Sequence, residues 1–133
     1  MVGMSSHPMA KAIRESYGAA FRGDPEPLRR LYLTDVVMHF SGKTPLSGDV
    51  RGLGEFRQWA KRFFERAGRT YGEEVISVVA DDDWAFMLTV YHAERDGRRV
   101  EDRAVEVYRL RDGRVVETWS FVGDPDVQQQ VFG

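Results

Sequence analysis

Two Arg-Asp-Gly turns constrain the fold of this chain more than any other feature. They lie at 95–97 and 111–113, between segments in which apolar and polar residues alternate with a period of two. An Asp-Gly pair between such segments is typical of a β-hairpin, because glycine adopts a positive φ without steric cost. The pattern predicts four antiparallel strands, over roughly 74–80, 84–94, 99–110 and 114–122.

The first half of the chain has the periodicity of helices. Apolar residues recur every four positions from Met9 to Phe21, and Gly23 ends that stripe. A short second helix follows, then a strand over roughly 36–40 and a third helix over roughly 53–67. Helices followed by an antiparallel meander indicate an α+β fold with three helices on one face of the sheet.

Composition limits the function classes. A length of 133 residues fits one domain, 1–133, and we expect residues 1–7 to be a flexible tail. The net charge of −2 argues against a nucleic-acid partner, and no apolar run is long enough to cross a membrane. The absence of cysteine is compatible with a cytoplasmic location. No cofactor-binding motif is present, and the three histidines lack metal-ligand spacing, so we expect neither cofactor nor metal.

The register of the sheet can be predicted from the turns. If each Arg-Asp-Gly forms a three-residue loop, Glu106 lies opposite Thr118, and alternation fixes the residues that share its face. That face would be covered by the helices, and it would hold Trp84, Phe86, Leu88, Val90, His92, Asp102, Ala104, Glu106, Tyr108, Val116, Thr118 and Ser120.

The opposite face is also predicted to be apolar. It would hold Met87, Tyr91, Val105, Val107, Val115, Trp119 and Phe121. An apolar face on a chain this short needs cover, and a second copy of the chain is the simplest cover. We therefore expect a homodimer joined through this outer sheet face. His39 is expected to point to the same side, since it alternates with Met38 and Phe40.

Four segments together resemble the SnoaL-like branch of the nuclear transport factor 2-like superfamily. They are YGAAFRGD (17–24), DVVMHF (35–40), TPLSGDVRG (44–52) and VYRLRDGRVVETWSF (107–121). Relatives include polyketide cyclases and ketosteroid isomerases. The resemblance implies a cone-shaped, cystatin-like curved sheet with three helices around an apolar pocket. The ligand-binding residues it implies are Tyr17, Met38, Phe40, Trp59, Phe63, Phe86, Leu88, Val90, Tyr108, Thr118 and Ser120.

Glu106 is the first catalytic candidate. It matches a carboxyl group of the isomerase oxyanion hole, and burial would raise its pKa towards that of an acid–base catalyst. The alternative is a salt bridge to an arginine. His92 and Asp102 form a second candidate pair, in which the carboxylate would orient the imidazole; alternatively both lie in solvent. The isomerase general base is not retained, because Phe40 stands at its position.

These features favour a protein with a small-molecule pocket. Its chemistry would be proton transfer, in a cyclisation, isomerisation, dehydration or hydration of an apolar oxygenated molecule such as a polyketide or terpenoid. Two alternatives remain, a non-catalytic ligand-binding protein and a protein-interaction domain like nuclear transport factor 2.

Overall fold

Apolar patterning and turn chemistry build four helices and six strands in this chain. The structure is a computed structural model, and it describes residues 7–133. The helices are α1 (Pro8–Phe21), α2 (Glu26–Leu31), α3 (Gly52–Ala67) and α4 (Pro125–Phe132). The strands are β1 (Tyr32–Phe40), β2 (Gly48–Arg51), β3 (Gly72–Ala80), β4 (Trp84–Arg95), β5 (Arg98–Arg111) and β6 (Arg114–Val122).

All six strands form one curved sheet in the order β2-β1-β6-β5-β4-β3. The predicted meander of β3 to β6 is present, and the α+β class is confirmed. Two features add to the expected architecture. β1 pairs in parallel with β6, and β2 is a short edge strand between the predicted first strand and the predicted third helix.

The two Asp-Gly turns are tighter than predicted. Arg95 pairs with Arg98 and Arg111 pairs with Arg114, so each loop contains two residues instead of three. Both loop residues have positive φ, 53° and 75° at Asp96 and Gly97 and 51° and 76° at Asp112 and Gly113. This geometry matches the twist of the flanking strands and is typical of Asp-Gly hairpins. The prediction of three-residue loops was wrong.

A one-residue change in register moves a strand's side chains to the opposite face. On β4, Met87 now pairs with Glu106 and Tyr91 with Asp102, so Phe86, Leu88, Val90 and His92 lie on the outer face. The predicted faces of β4 were therefore wrong.

A β-bulge preserved the predicted face of β6. The register of the β5–β6 pair shifts between Arg109 and Leu110, which adds a second displacement beyond the turn. Glu106 consequently lies opposite Ser120, two positions from the predicted partner Thr118. A displacement of two residues leaves Thr118, Trp119, Ser120 and Phe121 on their predicted faces. Val115 was predicted on the outer face, but it precedes the bulge, pairs with Leu110 and lies in the core.

The two faces of the sheet differ in cover. On the side of the helices, Met87 and Tyr108 are each 1% exposed and Val36 is fully buried. On the outer face, Phe86 is 45% and Phe121 49% exposed. The sheet therefore has one packed face and one apolar face that its own helices do not cover.

Helix α4 was not predicted, although its start has a sequence signal. Asp124 accepts a hydrogen bond from the amide of Asp126, and Pro125 occupies the first turn. The guanidinium group of Arg95 donates to the carbonyls of Ala67 and Val131, at 2.8 and 3.2 Å. That contact joins the C-terminal ends of α3 and α4.

The N-terminal boundary differs from the expected tail of residues 1–7. His7 is the N-cap of α1, where its Nδ1 accepts a hydrogen bond from the amide of Met9 at 3.1 Å. The rest of that predicted tail lies outside the described residues. Within residues 7–133, no helix has the length and apolar character needed to span a bilayer.

The tight turns lead to a first test. Replacing Gly113 by Ala should lower the free energy of unfolding by roughly 1 kcal/mol, because a φ of 76° strains any residue with a Cβ. Gly54 is the matched control, since it lies within α3 with open space around it and should gain stability as Ala. Chemical denaturation of both variants measures the difference; equal stability of the two would contradict the turn assignment.

Candidate functional site

A cavity of about 110 Å³ lies between the packed face of the sheet, helices α1, α3 and α4, and the 41–47 segment. Its wall is mostly apolar, and rings form most of it. The aromatic residues of the wall are Tyr17, Phe40, Trp59, Phe63, Tyr71, Tyr91 and Phe132. A largely apolar enclosure with a few polar groups is typical of small-molecule sites.

One wall is a continuous stack of rings from β1 and α3. Phe40 and Trp59 lie with their ring centres 4.0 Å apart and their planes 11° from parallel. Phe63 follows one helical turn after Trp59, at 5.2 Å between ring centres. The indole Nε1 donates to the carbonyl of Leu46 at 2.9 Å, which satisfies its only polar group. The wall is therefore rigid and presents flat apolar surfaces.

Glu106 extends from the middle of β5 into this cavity. The Ser120 hydroxyl, directly across on β6, donates to its Oε1. Burial and, to a smaller extent, the nearby Glu73 carboxyl together raise the pKa of Glu106 to about 8. No salt bridge to Glu106 forms within residues 7–133, so its carboxyl is mainly protonated at neutral pH.

Glu73, at the start of β3, is the second carboxyl group of the cavity. Its Oε2 accepts a hydrogen bond from the Tyr17 hydroxyl and its Oε1 accepts one from the Tyr71 hydroxyl. Burial raises the pKa of Glu73, whereas hydrogen bonds from Tyr17, Tyr71 and Thr89 act in the opposite direction. These donors favour the carboxylate, so Glu73 ionises before Glu106.

Glu73 was not among the predicted site residues. It lies in a Glu-Glu pair at a strand start, where charged residues are normally solvated. A signal was nonetheless available, because Glu73 alternates in phase with Val75 and Glu74 with the exposed Ile76. The bulge between Val75 and Ser77 ends that alternation within the same strand.

No arginine, lysine or histidine lines this cavity within the described chain. The two carboxyl groups therefore share an environment without a neutralising cation. Burial and the nearby carboxyls raise the pKa values of Tyr17 and Tyr71, so both phenols stay protonated. The arrangement can donate a proton from Glu106 and accept one at Glu73, but it offers no positive charge to an anionic ligand.

The predicted ligand-binding residues divide into three groups. Tyr17, Phe40, Trp59, Phe63 and Ser120 line the cavity together with Glu106. Met38, Tyr108 and Thr118 lie on the same side of the sheet but are buried in the core, at 3%, 1% and 0% exposure. The third group lies on the outer face because of the turn geometry, and it consists of Phe86, Leu88 and Val90.

The same change in register separates His92 from Asp102. His92 pairs with Glu101 on the outer face, whereas Asp102 pairs with Tyr91 on the packed face. Asp102 accepts hydrogen bonds from the Tyr91 hydroxyl at 2.8 Å and from the amide of Asp124 at 2.9 Å. The predicted imidazole–carboxylate pair is therefore absent, and Asp102 instead fixes the segment that leads into α4.

His39 lies on the outer face, as its alternation with Phe40 indicated. Its Nδ1 is 2.8 Å from Asp49 and its Nε2 2.6 Å from Glu117. These two carboxylates raise the pKa of His39, and its ring stacks on Trp119. The part of the chain described here contains no group of three or more His, Asp or Glu side chains placed to hold a metal ion.

The fold agrees with the sequence comparison. The sequence model of the SnoaL-like domain matches residues 13–118, which is most of the chain. The chain belongs to the SnoaL-like domain family. No curated protein sequence matches it significantly.

Solved structures of the same fold cover nearly the whole SnoaL-like chain. Bal32a from a soil-derived mobile gene cassette is 23% identical with a TM-score of 0.83, over 94% of this chain and 96% of that one. TerC, co-crystallised with polyporic acid, is 16% identical with a TM-score of 0.80, over 94% and 98%. A putative SnoaL-like polyketide cyclase from Jannaschia sp. CCS1 is 18% identical with a TM-score of 0.73, over 97% of each chain.

The raised pKa of Glu106 leads to a second test. In the folded state Glu106 keeps its proton up to about pH 8, whereas in the unfolded chain it loses it near its ordinary value of 4.5. Stability from this group is therefore complete below about pH 4.5 and is lost as pH rises towards 8.

Replacing Glu106 by Gln removes this titration and should flatten the pH dependence of stability. The melting temperature of the variant relative to wild type should rise by about 4 °C or more between pH 5 and pH 8. Thermal unfolding at several pH values measures this difference. Glu74→Gln, exposed on the same sheet, is the control and should follow wild type. Parallel curves for Glu106→Gln and wild type would contradict a raised pKa.

Proposed function

We propose that this SnoaL-like protein catalyses proton transfer within a small, largely apolar, oxygenated molecule of the polyketide or terpenoid kind. The observation that carries the proposal is the pair of buried carboxyl groups, Glu73 and Glu106, in a cavity whose remaining wall is mostly aromatic. Two carboxyls in different protonation states are the minimum set for concerted acid and base catalysis.

Glu106 is the proposed acid. A carboxyl that keeps its proton at neutral pH can donate it to a substrate carbonyl oxygen as negative charge develops there. Ser120 supports this role, because its hydroxyl already donates to Oε1 and leaves the other oxygen to carry the proton. The pKa of about 8 lies close enough to neutral pH for the group to be reprotonated after each turnover.

Glu73 is the proposed base, in the place that the sequence analysis gave to His92 and Asp102. Its oxygens accept hydrogens from Tyr17, Tyr71 and Thr89, which leaves one lone pair for a substrate proton. In the proposed step the carbon–hydrogen bond next to a carbonyl breaks, the proton goes to Glu73, and Glu106 protonates the carbonyl oxygen. The product is a neutral enol. Glu73 then returns its proton at another carbon while the enol hydroxyl proton goes back to Glu106, which gives an isomer and restores both groups; alternatively, the enol carbon starts a ring closure.

The comparisons support a small organic ligand without identifying it. TerC was crystallised with polyporic acid, and the Jannaschia relative is named a putative polyketide cyclase. A non-catalytic ligand-binding protein with the same cavity is the alternative. The catalytic proposal and the ligand-binding alternative differ in one expected property. A catalyst makes a bound ketone exchange protons with solvent, whereas a binding protein does not.

Exchange of the α-hydrogens of 2-tetralone in D₂O tests the reaction directly. Wild-type protein should accelerate exchange above the buffer rate, because the ketone can contact both an acid and a base. Glu106→Gln should lower the accelerated rate by roughly two to four powers of ten, since its amide cannot transfer a proton. Proton NMR measures the loss of the α-hydrogen signal.

Glu74→Gln is the matched control, because Glu74 is exposed on the strand that carries Glu73. Its exchange rate should equal that of wild type. Exchange at the buffer rate in the presence of wild type would favour the ligand-binding alternative. An accelerated rate that survives Glu106→Gln would remove Glu106 from the mechanism.

We also propose that two copies associate through the outer sheet face. The apolar residues on that face include Trp84, Phe86, Val105 and Phe121, each 37–49% exposed. Exposed contiguous apolar area of this kind is typical of an interface between proteins. The β4 residues on this face differ from those predicted, because Phe86 lies there and Met87 and Tyr91 do not. The face is nevertheless apolar, as predicted.

Replacing Phe86 by Arg should disrupt this association, because it puts an unpaired charge in the middle of the buried area. Sedimentation at micromolar concentration should give a dimer for wild type and a monomer for the variant. Phe64→Arg is the matched control, since Phe64 is 48% exposed but lies on α3, away from the sheet face. Wild type that sediments as a monomer would contradict the proposed dimer.

A further inference from the structure

The hydroxyl groups around the two carboxyls are all oriented by bonds within the protein. A carboxylate only accepts hydrogen bonds, so Tyr17, Tyr71 and Thr89 direct their hydroxyl hydrogens at Glu73. The Ser120 hydroxyl donates its hydrogen to Oε1 of Glu106. Each hydroxyl has a single hydrogen, so none of these four can donate another to a ligand.

The neighbouring donors of the wall are used as well. The Tyr91 hydroxyl donates to Asp102 and the Trp59 indole donates to the Leu46 carbonyl. Two donors remain elsewhere in the wall, the Ser41 hydroxyl and one amide hydrogen of Gln128, whose other hydrogen goes to the Ser41 carbonyl. Among residues 7–133, therefore, only the acid hydrogen of Glu106 is available to a ligand around the carboxyl groups.

Acceptor capacity is abundant at the same place. The hydroxyl oxygens of Tyr17 and Tyr71 each keep lone pairs after donating, and so do the oxygens of Glu73. A ligand that displaces water from these oxygens without donating to them leaves buried acceptors unsatisfied, which costs about 1–3 kcal/mol for each group. A ligand hydroxyl placed there satisfies them.

We infer that the ligand of this cavity is an uncharged aromatic or alicyclic molecule that combines a hydroxyl donor for the Tyr17–Glu73–Tyr71 cluster with a carbonyl acceptor for Glu106. The absence of arginine, lysine and histidine from the wall argues against a carboxylate ligand. The inference rests on the proposed function for its site, but it concerns recognition alone and can be tested by binding without turnover.

Three matched probes test the need for a hydroxyl donor and for an uncharged ligand separately. The measurements are made at about pH 6.5, where Glu106 keeps its proton. They are 4-hydroxyacetophenone, which has both groups, 4-methoxyacetophenone, which lacks the donor, and 4-hydroxybenzoate, which carries a negative charge. Isothermal titration calorimetry should give at least about tenfold tighter binding for 4-hydroxyacetophenone than for either other probe. Equal or weaker binding of 4-hydroxyacetophenone, including no measurable binding of any probe, overturns the inference.

Two variants identify the residues responsible. Glu73→Gln gives the cluster an amide donor and frees a tyrosine hydrogen, so the preference for hydroxyl over methoxy should fall towards one. Tyr71→Phe removes one acceptor oxygen and should weaken 4-hydroxyacetophenone while leaving 4-methoxyacetophenone unchanged. Glu74→Gln should keep the wild-type preference, because its side chain lies outside the cavity. A preference that survives both cavity variants would also overturn the assignment.

The binding result is independent of catalysis. A strong hydroxyl preference without exchange of 2-tetralone would support this recognition and contradict the proposed reaction. Accelerated exchange of 2-tetralone without a hydroxyl preference would support the proposed reaction and contradict this recognition.

Discussion

The pairing of β4 with β5 determines which chemistry this protein can contain. Asp96-Gly97 closes the hairpin in two residues, and both residues need positive φ to do so. That turn places Met87, Thr89 and Tyr91 against the cavity and sends Phe86 outward. One more residue in the loop would have turned Phe86 and His92 inward, removing Tyr91 from the cavity and bringing an imidazole beside Asp102. The composition of the site therefore depends on the length of the turn as well as on the residues of the strand.

Much of the fold could be predicted because its signals are local. The stripe from Met9 to Phe21, the alternation of β3 to β6 and the glycines at the turns depend on neighbouring residues alone. The parallel contact between β1 and β6 has no such local signal, because it joins residues about eighty positions apart. Helix α4 has a local signal, the Asp124 cap before Pro125, so this helix could have been predicted from the sequence.

On the two strands after the first hairpin turn, the candidate site was predicted correctly only where the predicted face of the sheet was retained. Glu106 and Ser120 share the cavity because the bulge at Val116 on β6 restored the face that the tight turn would have reversed. Glu73 could not be ranked above Glu74 without knowing that Tyr17 and Tyr71, far apart in the chain, converge on it. Contacts of this kind are properties of the assembled fold, which is why the sequence identified one carboxyl and missed its partner.

Removing the two carboxyl groups from water costs free energy, and this cost explains the hydroxyl groups around them. A carboxylate taken out of water loses several kcal/mol of solvation unless donors replace the water. Tyr17, Tyr71 and Thr89 provide those donors to Glu73, and the negative charge they stabilise in turn helps to keep Glu106 protonated. An arginine in the same place would stabilise both carboxylates and abolish the difference in protonation between them. Excluding cations from the cavity therefore maintains the acid beside its base, at the expense of folding stability that a paired or apolar core would have retained.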